Sequence, residues 1–358
     1  MIFRLVICLL LLFPVSVRAQ DDVIVRVYQT LNSDYINETD NAQITQKGLK
    51  SLEKLDTNLK IAVSGRKLYV YYGKKRVQSY DMPLPQDDIR IWADFSKKVI
   101  NRAKEVSSQA ELLDFEIPDR FAQAVFAGLD GYSHYYGEFS DNENQKPKIR
   151  RHYAVRMIDD IMLIKILDFQ KGVAEKTLKA VEECSSCRGI ILDLRGNHGG
   201  ILDEAIKIAD MFLDEGIIAY TDEKDNNAPK YFTATAEDIT KNKPLVILVD
   251  GYSASAAEVL AAALSEQNRA ILIGTKTFGK GTIQNVVKMG NGRAMTFTTA
   301  YFYTPAGNKI DKNGLNPAIC TGKIKSADQL NEAECASEDR FNQEADVEVA
   351  VKYIKNEL

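Results

Sequence analysis

Residues 244–258 read Pro-Leu-Val-Ile-Leu-Val-Asp-Gly-Tyr-Ser-Ala-Ser-Ala-Ala-Glu. The apolar run from Pro244 to Val249 predicts a buried strand, and the alanine-rich segment after the two serines predicts a helix. Ser253 and Ser255 therefore lie in a strand-to-helix turn. A hydroxyl at such a turn is held rigidly beside the positive end of a helix dipole, where a developing oxyanion is stabilised. The pattern is typical of a serine nucleophile.

A second segment supplies the base that such a nucleophile needs. Residues 277–284 read Thr-Phe-Gly-Lys-Gly-Thr-Ile-Gln and place Lys280 between two glycines. The three histidines, His134, His152 and His198, occur without the Gly-x-Ser-x-Gly motif of many triad hydrolases, and we expect the first two to be surface or packing residues. A lysine acts as a base where burial disfavours its charged form. Lys280 fits this role, because most other lysines lie in charged segments.

A glycine-rich turn follows another predicted strand. Residues 193–200 read Asp-Leu-Arg-Gly-Asn-His-Gly-Gly, after the apolar run Gly189 to Leu192. Paired glycines at such a turn let backbone N–H groups face a ligand, as an oxyanion hole requires. A turn in which Gly199 and Gly200 serve conformation alone is the alternative interpretation. The presence of the serine turn elsewhere in the chain favours the interpretation of the paired glycines as part of an oxyanion hole.

The composition is that of an ordinary globular protein. The chain has 358 residues, which predicts two or three domains, with 45% hydrophobic and 27% charged residues. Its net charge is −4, and it carries no RNA-binding aromatic motif and no zinc-finger spacing. We therefore expect no nucleic acid partner.

The N-terminus predicts export. Residues 1–19 contain Arg4, an apolar run from Leu5 to Val15, and a Val-Arg-Ala sequence that ends at Ala19. These features indicate a secretory signal peptide cleaved near Ala19, since the run is too short to span a bilayer. No later segment is long and apolar enough for a span. We therefore expect a periplasmic or secreted protein without a stable membrane span.

The exported chain would keep four cysteines, which in an oxidising compartment predict disulfides. Cys320 with Cys335 would close a short loop, Cys184 with Cys187 would close a tight one, and other pairings stay open. A redox role for the Cys-Ser-Ser-Cys segment is less favoured, because it precedes a strand instead of opening a helix. A zinc site would need all four cysteines together, and nothing local supports that.

The first part of the chain predicts a mostly helical lobe with a small β-meander. This N-terminal lobe covers residues 20–150, with strand patterns at 59–82 and helical patterns at 23–56 and 89–128, the second of them broken around Glu116-Ile117-Pro118. A polar, charged stretch at 140–151 marks its end.

Strands and helices alternate from residue 151 to 320, which indicates an α/β core. The predicted helices are 173–183, 201–213 and 256–264, and the predicted strands are 162–169, 189–194, 245–249, 270–274, 282–288 and 294–303. Residues 321–358 form a C-terminal segment that ends in an amphipathic helix at about 346–354. The predicted fold class is therefore α/β, with a mostly helical N-terminal lobe.

These motifs, taken in order, resemble those of the C-terminal processing (tail-specific) serine peptidases. The matching segments are Leu129–Ser133, Asp193–Gly200, Ser253–Glu258, Thr277–Gln284, Pro305–Ile310 and Gly314–Pro317. The resemblance is strongest over residues 154–318 and weaker over 23–136. It implies a crotonase- or Clp-protease-like core and a Ser-Lys dyad.

The resemblance also implies a role for each site residue. It selects Ser255 over Ser253 as the nucleophile. Lys280 would be the general base, and Gln284 would orient it. The oxyanion hole would combine the backbone N–H of Ala256 with one from the glycine pair, Gly199 or Gly200. No metal or organic cofactor is implied.

Departures from the family bear on specificity. His198 stands where the family has proline, and Gly131-Tyr132 stand where it has Pro-His. Family members usually carry a PDZ domain between their N-terminal motif and the core, and here about 17 residues separate Tyr136 from Ala154. That length is too short for an independent domain. We therefore expect the module that captures substrate C-termini to be missing.

The sequence thus predicts an exported serine endopeptidase that acts on proteins or peptides through an acyl-enzyme. A non-catalytic ligand- or peptide-binding protein on the same fold is the alternative. The intact set of Ser255, Lys280 and Gln284 argues against it. Three roles are open for the N-terminal lobe: docking on the core, a homodimer contact, or a cover over the site.

Overall fold

The computed structural model of the chain describes residues 22–137, 152–224, 228–290, 292–336 and 343–357. The predicted signal peptide and the predicted lobe boundary at 140–151 lie outside these residues. The described residues divide into two compact units. The first comprises 22–33, 38–137 and 286–297, and the second comprises 34–37, 152–285 and 298–357.

The first unit is mainly helical and contains a small antiparallel meander. Its elements are α1 (Val23–Ser33), α2 (Asn41–Lys50), β1 (Leu59–Ser64), β2 (Lys67–Tyr72), β3 (Lys75–Asp81), α3 (Ile89–Val106), α4 (Ser108–Leu112), α5 (Ile117–Phe126) and β4 (His134–Tyr136). The predicted meander is confirmed, since β2 pairs antiparallel with both β1 and β3. Large rings that are fully buried, among them Tyr28, Trp92 and Phe121, fill the core of this unit.

Local caps divide the predicted helical stretch 89–128 into three helices. The Asp88 carboxylate accepts a hydrogen bond from the Arg90 N–H at 2.7 Å at the start of α3. The Ser107 hydroxyl accepts one from the Ala110 N–H at 3.1 Å and so begins α4. Pro118 lies in the first turn of α5, where its missing N–H has no intrahelical acceptor.

The second unit alternates strands with helices, as the sequence predicts. Its elements are β5 (Tyr153–Ile158), β6 (Ile161–Ile166), α6 (Val173–Glu183), β7 (Gly189–Asp193), α7 (Leu202–Asp210), β8 (Ile217–Glu223), β9 (Lys230–Thr233), β10 (Leu245–Val249), α8 (Ala256–Glu266), β11 (Ile271–Gly274), β14 (Ile319–Cys320) and α9 (Gln343–Lys355), and two further strands, β12 (Thr282–Lys288) and β13 (Ala294–Tyr303), have residues in both units. The α/β class is confirmed.

A six-stranded sheet forms the centre of the second unit, with the strand order β14-β11-β10-β7-β6-β5. Its strands run parallel except β5, which pairs antiparallel with β6. All five residues of β10 are buried. Parallel strands read as continuous apolar runs because both faces of the sheet are covered.

Helices lie on both faces of this sheet. Leu245, Ile247 and Val249 of β10 pack in the cluster that contains α6, α7 and α8. Val246 and Leu248 pack in a separate cluster with α9. The predicted C-terminal helix therefore completes the core of the second unit.

The topology brings two predicted turns to the same edge of the sheet. Strands β7 and β10 are parallel neighbours, with Leu248 opposite Asp193. The glycine-rich turn follows β7 and the serine turn follows β10. Because the carboxyl ends of parallel strands meet at one edge, the two turns lie side by side.

Some strands of the second unit carry no clear apolar pattern. Four of the six residues of β5 are exposed, and the sequence did not predict this strand. Strands β8 and β9 also escaped prediction. They belong to a second sheet with the order β12-β13-β8-β9, in which the first residues of β13 pair with β4.

The predicted disulfides are present, and the structure settles the pairing that the sequence left open. Cys184 bonds to Cys187 just after α6, and Cys320 at the end of β14 bonds to Cys335. Among the helices of the described residues, none is both long enough and apolar enough to cross a membrane.

Candidate active site

Ser255 occupies an unusual backbone conformation at the start of α8. It is the N-cap residue, with φ of 57° and ψ of −121°. Residues other than glycine rarely adopt positive φ, and such strain is concentrated at functional sites. The residue is half-buried. The strand-to-helix turn therefore presents the Ser255 side chain at the N-terminus of an 11-residue helix.

The hydroxyl of the neighbouring serine, Ser253, forms hydrogen bonds that hold the turn together. Ser253 is buried, and its hydroxyl donates to the Leu194 carbonyl oxygen at 2.9 Å. The same hydroxyl accepts the Asp250 N–H at 2.9 Å. These bonds fasten the serine turn to the glycine-rich turn. Of the two serines, Ser255 is the one that a ligand can reach.

The glycine-rich turn contacts Ser255 directly. Gly199 and Gly200 have φ angles of 102° and 135°. A Cβ atom on Gly199 would lie 2.8 Å from the Ser255 Cβ and 3.0 Å from the Ala254 carbonyl oxygen. The Ala254 N–H donates to the Asn197 carbonyl oxygen at 2.9 Å. Glycine is therefore required at position 199 for both its conformation and its close approach.

The predicted oxyanion donors differ in their hydrogen bonds. The Gly199 N–H donates to the Asn197 side-chain oxygen at 2.8 Å, and the Asn197 amide donates to the Ile166 carbonyl oxygen at 3.0 Å. The N–H groups of Gly200 and Ala256 donate to no residue within the described ranges. Ala256 is the first residue of α8, where an N–H has no intrahelical acceptor. Gly200 and Ala256 are thus the donors available to a ligand.

Lys280 lies in the loop between β11 and β12, half-buried. Its flanking glycines allow this loop to pack backbone against backbone. A Cβ atom on Gly281 would lie 2.1 Å from the Asp311 nitrogen, and Gly279 has a φ of 85°. Gln284 follows in β12, and its side-chain N–H donates to the Thr282 hydroxyl at 2.7 Å.

One buried side chain joins the serine turn to the lysine loop. Glu258, in the first turn of α8, is fully buried. Its Oε2 accepts the Ser255 N–H at 3.0 Å and the Lys280 N–H at 2.9 Å. Its Oε1 accepts the Gly279 N–H at 2.7 Å and the Thr277 hydroxyl at 2.5 Å. The structure therefore brings the backbones of Ser255 and Lys280 onto the same carboxylate oxygen.

A buried charge network supports the base of the glycine-rich turn. The Arg195 guanidinium binds both oxygens of Asp193, at 2.8 and 2.6 Å. Lys165 Nζ lies 3.0 Å from Asp193 and donates to the Arg195 carbonyl oxygen at 2.8 Å. Burial alone would raise the pKa of Asp193, but the hydrogen bonds and charge of Arg195, with the charge of Lys165, hold it below its usual value.

The histidines make contacts of a different kind. His152 Nδ1 lies 2.7 Å from an Asp168 carboxylate oxygen. His198, beside the paired glycines, is exposed, and its ring packs edge-on against that of Tyr252, with 6.1 Å between the centroids. His134 pairs with Thr296 in the short contact between β4 and β13.

Sequence reasoning overlooked two polar residues of the site, Glu258 and Asn197. Glu258 follows Ser255 by three residues, and Ser-x-x-Glu before an apolar run is the pattern of a capping box. That pattern could have drawn attention to it. Asn197 gave no such signal, because its bonds to Gly199 and Ile166 depend on the folded turn.

Comparison with known proteins relates the sequence of this part of the chain to one family. Residues 160–321 match the sequence model of Peptidase family S41. The chain is 36% identical over 203 residues to a carboxy-terminal-processing protease of Bartonella bacilliformis, covering 53% of this chain and 47% of that one. It is 36% identical over 169 residues to the carboxy-terminal processing protease CtpA of Bacillus subtilis, covering 47% and 36%.

Among solved structures, the photosystem II D1 C-terminal processing protease aligns with a TM-score of 0.49 and 18% identity, over 83% of this chain and 91% of that one. The chain spans less than two thirds of each of the two named relatives. The family match covers five of the six strands of the central sheet, the helices α6, α7 and α8, and the turns that hold Ser255 and Lys280, while β5 and α9 lie outside it. Residues 160–321 are therefore similar to the domain of Peptidase family S41.

Proposed function

We propose that the chain is a serine endopeptidase in which Ser255 is the nucleophile and Lys280 is the general base. The observation that carries the proposal is the pairing of a reachable, strained Ser255 with the Gly199 backbone against its Cβ. A nucleophile beside paired glycines at a helix N-terminus is the arrangement that acyl transfer requires. The bonds of both loops to Glu258 add support, because they place the two proposed catalytic residues on adjoining backbone.

The reaction would proceed in two stages. Lys280, as the free amine, takes the proton from Ser255 Oγ as this oxygen bonds to the peptide carbonyl carbon. The resulting tetrahedral intermediate collapses, its C–N bond breaks, and Lys280 returns the proton to the leaving amine. Water then attacks the acyl-enzyme with Lys280 again accepting the proton, and the acid product leaves as Ser255 Oγ regains its proton.

The oxyanion that forms at each stage needs two N–H donors. We assign this role to Ala256 and Gly200, because both N–H groups lack an acceptor in the described residues, whereas the Gly199 N–H is bonded to Asn197. The positive end of the α8 dipole adds to their effect. Gln284 would orient the Lys280 amine from β12.

The substrate would be a protein or peptide, consistent with relatives named as carboxy-terminal processing proteases. We further propose that the chain is exported. The predicted signal peptide supports this location, and so do the two disulfides, because disulfides persist in oxidising compartments.

Cleavage of an unfolded protein tests the proposal. Purified native chain should degrade reduced, alkylated casein, while Ser255→Ala and Lys280→Ala should not. Ser265→Ala, on the same helix, and Lys276→Ala, exposed in the same loop, are matched controls that should keep the activity. A fluorophosphonate probe should add its mass to the native chain and the controls but not to Ser255→Ala.

Two outcomes would contradict the proposal in different ways. Equal cleavage by the native chain and both site variants would overturn the dyad assignment. Failure of the native chain to cleave casein and to react with the probe would favour the non-catalytic binding protein.

A further inference from the structure

We propose that Glu258 is a positioning residue that fixes the placement of Ser255 relative to Lys280. The inference rests on the proposed peptidase function and extends it to a side chain that touches neither the substrate nor the transferred proton. Its basis is geometric. One carboxylate accepts hydrogen bonds from the serine turn and from the lysine loop, two of them on the same oxygen.

The chemistry of the contact requires an ionised carboxylate. Four donors converge on it: three backbone N–H groups, of Ser255, Gly279 and Lys280, and the Thr277 hydroxyl. A carboxylate accepts on both oxygens, whereas an amide of the same shape presents an NH₂ group on one side. That NH₂ group would face two donors. A glutamine at position 258 could therefore hold only one side of the contact.

Burial of this carboxylate carries a free-energy cost of desolvation. Glu258 is fully buried, and desolvation raises its pKa, while the hydrogen bonds from Thr277, Gly279, Lys280 and Ser255 oppose that rise. An ionised group without such partners would be strongly destabilising inside a protein. An apolar residue would avoid the cost but would leave the buried N–H groups of the two loops without an acceptor.

Proton transfer explains why the two loops need a shared anchor. Ser255 and Lys280 lie on different loops, so no local backbone geometry fixes the gap between their side chains. A base must come within hydrogen-bonding distance of the proton that it takes. A shift of about 1 Å in such a pair lowers the rate by about 100-fold. By bonding to the backbone N–H groups of both residues, the Glu258 carboxylate fixes the distance between the two loops.

Kinetics of Glu258→Gln test the inference. We expect kcat for a peptide substrate to fall by about 100-fold, with KM changed by less than about twofold, because the altered contact lies behind the reacting groups. Glu266→Gln is the matched control, since Glu266 ends the same helix and, among the described residues, accepts hydrogen bonds from the Ala306 N–H and the Asn308 side chain. The control should keep the native kcat and KM.

A second pair of variants serves if Glu258→Gln does not fold. Thr277→Val removes one of the four donors, and Thr277→Ser keeps the hydroxyl. Thr277→Val should lower kcat, and Thr277→Ser should restore most of it. Hydrogen exchange followed by mass spectrometry should show faster exchange over residues 253–258 and 277–282 in Thr277→Val, with native exchange in Thr277→Ser.

The outcomes separate this inference from the proposed function. If the native chain is active and Glu258→Gln has an unchanged kcat, the role of Glu258 is overturned while the dyad stands. The same conclusion applies to an unchanged kcat in Thr277→Val if Glu258→Gln does not fold. An increase in KM with an unchanged kcat would also overturn the role of Glu258. If the native chain neither cleaves nor reacts with the probe, the proposed function fails first and takes this inference with it.

Discussion

The Arg195 guanidinium donates a hydrogen bond to the Asp346 carboxylate at 2.9 Å, which joins two residues separated by 151 positions in the chain. The side chains of both residues are almost fully buried, at 6% and 2% exposure. Arg195 follows β7, and Asp346 lies in α9. The pair therefore joins the glycine-rich turn to α9, the helix on the face of the sheet opposite α6, α7 and α8. Together with Asp193 and Lys165 it forms a network of two positive and two negative charges.

Removal of Asp346 should destabilise the second unit strongly. Asp346→Ala leaves an uncompensated positive charge in the core, and breaking a buried pair in this way costs about 3–5 kcal/mol. Native-state hydrogen exchange of β7 is the suitable measurement, because the single tryptophan, Trp92, lies in the first unit. Asp328→Ala is the control: Asp328 pairs with Lys352 but is 82% exposed, so its loss should cost less than about 1 kcal/mol. Equal effects would contradict the prediction.

The pKa of Asp193 predicts how stability depends on pH. Its folded-state value lies below the usual value, so the unfolded chain takes up the proton first as the pH falls. The stabilisation from Asp193 is therefore complete above about pH 5 and is lost as the pH falls through about 4 and below. Urea titrations from pH 7 to pH 3, monitored by exchange of β7, should show a shallower loss of stability in Asp193→Asn than in the native chain. Parallel curves would contradict this assignment.

Substitution of Gly199 should strongly reduce the reactivity of Ser255 through a steric clash. Gly199→Ala places a methyl group 2.8 Å from the Ser255 Cβ, at a φ of 102°, so either the turn or the nucleophile must move. We expect labelling by a fluorophosphonate probe to slow by about 100-fold. Gly196→Ala is the control in the same turn, because its new Cβ would meet nothing within 4 Å at a φ of 72°. It should cost about 1 kcal/mol of stability and keep the labelling rate.

Strain at Ser255 predicts a stabilising but inactive variant. Glycine adopts the Ser255 conformation, φ 57° and ψ −121°, without the steric penalty of a side chain. Ser255→Gly should therefore raise stability by about 1 kcal/mol, although glycine's greater freedom in the unfolded chain offsets part of the gain. Thermal unfolding compared with Ser255→Ala, which keeps the side-chain restriction, isolates the effect. A lower melting temperature for the glycine variant would show that the turn is not strained.

The core of the second unit could be read from sequence because its strands are uniform. A strand such as β10, buried on both faces, appears as an unbroken apolar run. The exposed edge strand β5 lacks that pattern, since it gains its place by backbone pairing with β6. Likewise, the helix ends within 89–128 depend on single caps such as Ser107, which a hydrophobic pattern does not register.

The site divides in the same way. Ser255, Lys280 and the paired glycines could be proposed from the sequence as candidate site residues, because each stands in a short motif of small residues. Their mutual support was not legible, because Glu258 and Asn197 act by side-chain bonds to backbone groups of other segments. Ser253 illustrates the limit: its sequence context matches that of Ser255, and only its buried hydrogen bonds show that the turn consumes its hydroxyl.

The shared oxygen of Glu258 also defines what could be transplanted from this protein. Residues 253–258 and 277–281 are separate segments of the sequence, but both form hydrogen bonds to one carboxylate. A redesign of either loop would therefore also displace the other. A graft of this candidate site onto a different scaffold would have to carry both loops, the first turn of α8 and the glycine-rich turn that contacts Ser255 as one block. The exposed side chains of His198 and Tyr252, which pack against each other, would be the first positions to vary in such a graft.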